Sequence, residues 1–152
     1  MFHKNHSLIM KNTFFSLLTL AIFGLSSCTK TEVTPVNVKT INVTLSGANE
    51  VPAVTTTATG MLMGSYNTTT KVLVYSLMFS GITPTAAHFH KGAAGATGGV
   101  EFNFGTSITN NMTGTTTLTD AQAADLTAGN WYVNVHSAAK PGGELRGQVV
   151  FK

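Results

Sequence analysis

Apolar and polar residues alternate in short runs along most of this chain, and clusters of glycine, proline, asparagine and serine separate the runs. In residues 38–45, Ile41, Val43 and Leu45 fall on one side and Thr40, Asn42 and Thr44 on the other, the period-2 pattern of a half-buried strand. Ser46-Gly47-Ala48-Asn49 breaks it. Residues 58–67 and 71–80 read as two further strands, with 67–70 as a hairpin connection. The segment 85–92 is apolar until Gly92, and 93–99 has the Gly and Ala content of a loop. Alternation resumes at 100–104, where Val100, Phe102 and Phe104 are expected to face the core and Glu101 and Asn103 to face outward. The Thr-rich stretch 111–118 fits either an edge strand or an irregular crossing.

One helical signal follows. Thr119-Asp120-Ala121-Gln122 fits a capping box, with Thr119 as N-cap and Gln122 at the third helical position, and Gly129 stops the helix after about two turns. Strands over 130–136 and 144–151 close the chain. Trp131 lies in line with Val133 and Val135 and is the expected core anchor, which sends Tyr132 to the surface or the rim. Six or seven strands and one short helix predict an all-β fold: a single antiparallel β-sandwich, immunoglobulin-like or Greek-key related.

The first 27 residues have a different character. Lys4 and Lys11 precede an apolar run from Phe14 to Gly24, which ends in Leu25-Ser26-Ser27-Cys28. This layout resembles a bacterial lipoprotein signal, in which Cys28 becomes the lipidated first residue. The run is about half the length of roughly 20 apolar residues that a membrane-spanning helix needs. Residues 28–37 then read as a polar tether interrupted by Pro35, and 38–152 as the domain. The expected location is the bacterial cell envelope, lipid-anchored, at the outer membrane.

Removing the leader changes what the composition means. The whole chain has 9 Lys+Arg against 6 Asp+Glu, but Lys4 and Lys11 leave with the signal and the remainder is close to neutral. No basic patch is left to argue for nucleic acid. Cys28 is the only cysteine, so neither a disulfide framework nor a thiolate metal cluster can form within the chain, and the core must hold the fold. The 23 threonines beyond residue 28 suit uncharged outer faces of strands.

Four ordered blocks carry a family resemblance. They are 45–52 (LSGANEVP), 87–92 (AHFHKG), 118–136 (from LTDAQ to AGNWYVNVH) and 141–148 (PGGELRGQ). Together they resemble the CHRD domain, first described in chordin, over nearly all of 38–152. The resemblance implies an immunoglobulin-like or related β-sandwich in an extracellular protein, with no settled activity for the family. Phe89 stands where a smaller aliphatic is usual in the His-x-His block, and both histidines are retained. Nothing matches a growth-factor contact motif.

Only His88, His90 and His136 are candidates for chemistry in the domain. His88 and His90, two apart on a strand, share a face and can bind one transition metal, zinc or copper, if His136 approaches as third ligand. Glu50, Glu101 or Glu144 would complete a shell or orient a ring. The alternative is that the histidines are structural donors to backbone carbonyls or to Glu144. The His-x-His strand is also similar to that of copper/zinc superoxide dismutase, but a two-metal site of that kind needs more histidines than the domain has. Glu144 and Arg146 share a strand face and read as a structural polar pair. Ser46, Ser76, Ser80 and Ser137 sit in no nucleophile motif, and Gly92, Gly95, Gly98 and Gly99 lack the following helix of a phosphate site. The leading expectation is a non-enzymatic binding or structural module whose partner is an envelope or extracellular protein. The alternative is a metal-binding module on the three histidines.

Overall fold

Strict alternation builds two antiparallel sheets. The computed structural model describes residues 37–152; the leader, Cys28 and the tether residues before Asn37 lie outside the described residues. Strands β1 (Val38–Leu45), β2 (Thr59–Asn67) and β3 (Val72–Ser80) form a meander, and β6 (Met112–Thr117) adds to β3. The second sheet has the order β5 (Val100–Asn103), β4 (Pro84–Lys91), β7 (Trp131–Ser137), β8 (Leu145–Gln148). All pairings are antiparallel. The two sheets make a β-sandwich with one short helix, α1 (Asp120–Thr127).

Local chemistry explains the punctuation. The Asn67 side chain accepts hydrogen bonds from the backbone N–H groups of Thr69 and Thr70, which fixes the β2–β3 connection. Thr119 Oγ1 accepts from the Gln122 N–H while Gln122 Oε1 accepts from the Thr119 N–H, a complete capping box. The Thr-rich stretch resolves as the edge strand β6, in register with β3 from Val72↔Thr117 to Leu77↔Met112.

Between the sheets lies an apolar core. Ile41, Leu45, Leu62, Leu73 and Leu77 from the first sheet meet Phe89, Trp131, Val133, Val135 and Leu145 from the second, all of them buried. Each such side chain contributes about 1.5–3 kcal/mol. Phe89, between His88 and His90 on β4, packs against Trp131 at 5.4 Å and Phe104 at 4.8 Å between ring centroids.

Three expectations need correction. Val100 is 54% exposed because it starts the edge strand β5, where the ladder to β4 slips between Phe89 and His90 and alternation loses its register. Tyr132 is buried because the 92–99 loop covers the outer face of its strand. The last strand ends at Gln148, not 151. Beyond it the chain leaves its sheet, and Phe151 bridges Ile41 of β1. Arg146 and Ser46 exchange backbone hydrogen bonds of 3.0 and 3.2 Å, so the final segment joins the two sheets along one side.

Candidate metal centre

The outer face of the second sheet would ordinarily face water. Period 2 puts Phe89, Trp131, Val133 and Val135 inward, so His88, His90, Tyr132, Asn134, His136, Arg146 and Gln148 all point the other way. Yet Asn134 and Arg146 are each only 3% exposed. Two loops cover them. One is 92–99, which folds back over Tyr132 and His90; the other runs through Asn49 and Glu50, next to β8. Strand β7 is thus covered on both faces.

The loop over β7 is held by side chains from three strands. Arg146 Nη2 donates to the Ala96 carbonyl at 2.6 Å, and Gln148 Nε2 donates to the Gly92 carbonyl at 2.9 Å. The Tyr132 hydroxyl accepts from the Gly98 N–H at 3.2 Å. Gly98 is required there: a Cβ would fall 1.5 Å from the Lys91 carbonyl oxygen. Tyr132 itself lies between two planar groups. The His90 ring stacks on it at 4.8 Å with 4° between planes, and the Arg146 guanidinium stands 3.5 Å over its ring centre.

The register brings the three histidines together. Ala86 opposes His136 and His88 opposes Asn134 across the β4–β7 ladder, so His136 projects beside His88 on the same face. One ligating atom from each of His88, His90 and His136 lies within 4.8 Å of the others. His88 Nδ1 and His136 Nε2 are 3.0 Å apart. Two nitrogens bound tetrahedrally to one zinc at about 2.0–2.1 Å stand about 3.3 Å apart.

Backbone carbonyls set the ring orientations. His90 Nδ1–H donates to the Gly98 carbonyl at 3.0 Å, and His136 Nδ1–H donates to the Pro141 carbonyl at 2.9 Å. A carbonyl only accepts, so in each neutral ring Nε2 is left with its lone pair. His90 Nε2 is buried and has no hydrogen-bond partner. Bonding through the second nitrogen is how ligating histidines are held for a metal. The hydrogen bonds that anchor the loops also fix the tautomers: His90 Nε2 keeps an unpartnered lone pair, and the His136 Nε2 lone pair accepts from His88 Nδ1–H.

Electrostatics favours the neutral form of His88 and His136. Burial pushes the His88 imidazole below its ordinary value, with the neighbouring His136 and His90 adding to the effect. Burial lowers His136 too, opposed by its hydrogen bond to Pro141. Neutral imidazole is the form that ligates.

The carboxylates act elsewhere. Glu144 accepts from Ser137 Oγ at 2.5 Å and from Thr56 Oγ1 at 2.6 Å, and these bonds hold its carboxyl below the usual range. Arg146, two residues on, takes the contacts described above. Glu50 is 8% exposed; burial pushes its carboxyl up, while Arg146 favours the charged form. Gly143 makes room for it, since a Cβ there would lie 2.5 Å from Glu50 Oε1. Sequence reasoning singled out the three histidines that the structure gathers but missed Tyr132, Gly98 and Pro141, which position them. The only signal was the presence of Gly98 and Pro141 in the loops flanking these strands.

Residues 41–149 match the CHRD domain. The chain belongs to the CHRD domain family. The match spans every strand that carries a histidine and both covering loops, so the three-histidine face is part of the CHRD domain in this chain. No curated protein and no solved structure matches it.

Proposed function

We propose that this CHRD domain is a transition-metal-binding module that holds one zinc or copper ion on His88, His90 and His136. The observation that carries the reading is the gathering of three ring nitrogens within 4.8 Å, with His90 and His136 bonded through Nδ1 to the Gly98 and Pro141 carbonyls so that each keeps its Nε2 lone pair, that of His90 unpartnered and that of His136 accepting from His88 Nδ1–H. Three imidazoles suit zinc or copper.

We further place the module on the bacterial cell envelope, with Cys28 carrying lipid at the outer membrane and an envelope or extracellular protein as the partner that receives or supplies the metal. The basic leader, its apolar run and the single cysteine at its end support that location.

Isothermal calorimetry on the purified full-length protein at neutral pH tests the metal reading. Zinc or copper is expected to bind at one equivalent, and the His88→Ala/His90→Ala double variant to show no binding heat. Absence of binding, or binding unchanged in a folded double variant, would refute it.

A further inference from the structure

Three protein ligands do not complete a tetrahedral ion. Among the described residues, no aspartate, glutamate or cysteine joins the three histidines in the ligand group. Glu144 is engaged by Ser137 and Thr56, and the Tyr132 hydroxyl by the Gly98 backbone, so neither is free to turn toward the ion. Closed structural zinc sites have four protein ligands, whereas sites with three keep a position for an outside ligand.

The surroundings of the three rings differ. His90 is buried between the Tyr132 ring and the 92–99 loop, which walls off its side of the cluster. His88 and His136 are half-buried and reach solvent. Across the ladder from His136 stands Ala86, whose methyl group occupies little of the space on that face. The remaining coordination position accordingly lies on the His88–His136 side.

Charge selects what enters. Three neutral imidazoles leave a dication uncompensated, and no carboxylate belongs to its ligand group among the described residues. A partly desolvated double positive charge is stabilised by an anion in contact with it.

We infer that the metal held by His88, His90 and His136 has an open fourth position on the His88–His136 side that takes a small monodentate anion from solution. The site is then a centre of ligand exchange instead of a closed structural clamp. This rests on the metal-binding reading above. A face that admits an outside ligand is also one through which an ion can be handed to or from a partner's side chain.

Cobalt(II) and azide probe the position directly. The full-length protein is brought to one bound cobalt per chain, verified by metal analysis, and titrated with sodium azide while the visible d–d bands are recorded. A saturable band shift corresponding to one azide per cobalt is expected. Cobalt bound at one equivalent with bands that stay unchanged at large azide excess would mean that the chain itself closes the fourth position; the inference falls while the metal reading stands. Failure to bind cobalt, zinc or copper at all would remove both.

Discussion

At Arg146 the guanidinium stands 3.5 Å over the Tyr132 ring, donates to the Ala96 carbonyl, and supplies a positive charge that acts on the buried Glu50 carboxyl. Cutting it to alanine removes a stacking partner, releases the 92–99 loop and leaves Glu50 uncompensated. Losing a hydrogen bond made by a charged group costs about 1.5–3 kcal/mol, and loss of the charge that acts on the buried Glu50 carboxyl favours the upper end. Arg146→Ala should therefore lower the urea-unfolding free energy by about 3 kcal/mol. Arg146→Lys should recover only a minor part, since an ammonium keeps the charge but neither stacks as a plane nor spans the same donors. From the sequence, Arg146 was legible as a polar strand residue sharing a face with Glu144. Its real partners lie 14, 50 and 96 positions away in the chain, at Tyr132, Ala96 and Glu50, where spacing rules have no reach.

Strand β7 shows how far periodicity carries at the scale of an element. Alternation placed Trp131, Val133 and Val135 toward the sandwich core, and all three are fully buried. It also sent Tyr132 outward, correctly as to direction, but the outer face is itself covered. Periodicity reports which way a side chain points, and only the path of the loops decides what it meets. The same limit explains Val100, whose direction changed when the β4–β5 ladder slipped. The histidines were legible because their spacing on β4 is local; the approach of His136 needed the β4–β7 register. If the Tyr132 hydroxyl holds the loop, Tyr132→Phe should cost about 1 kcal/mol and selectively raise the hydrogen-exchange rate of the Gly98 amide, as followed by NMR. Exchange at core amides such as that of Val133 should stay slow, and a uniform increase instead would show that the phenol supports the whole sheet.

The molecule as a whole has two interiors, an apolar one between the sheets and a polar one outside the second sheet. Within the polar one, the histidines and Glu50 respond oppositely to pH. His88 and His136 have lowered folded-state values, so as pH falls below the ordinary imidazole value of about 6.5 the unfolded chain takes up protons first. Their contribution is intact above that value and is lost as pH falls through the folded-state values. Glu50, raised by burial, runs the other way: its contribution is present in acid and is lost as pH rises through its folded-state value. Zinc should raise the thermal midpoint at mildly alkaline pH, by the equivalent of about 2.7 kcal/mol when free metal is a hundred times Kd. Below pH about 6 the shift should shrink, because protons compete for the same nitrogens. Scanning calorimetry with and without zinc at both pH values checks this, and the His88→Ala/His90→Ala variant should show no zinc shift at either.

The bridge from the end of the chain to β1 bears on how the domain carries load. Beside the Ile41–Phe151 bridge, the Lys152 N–H donates to the Thr40 carbonyl at 3.0 Å. The strand through which any tension from the preceding residues enters is therefore gripped on two sides. The ladder to β2 holds one edge along its full length, from Val38 to Leu45, and the C-terminal residues hold the other. A pull along β1 must shear these bonds together instead of peeling them one at a time. The three histidines, on β4 and β7, lie in the sheet that does not contain that strand. A pull from the N-terminal side of the domain would load β1 before it reached the sheet that holds the imidazole cluster.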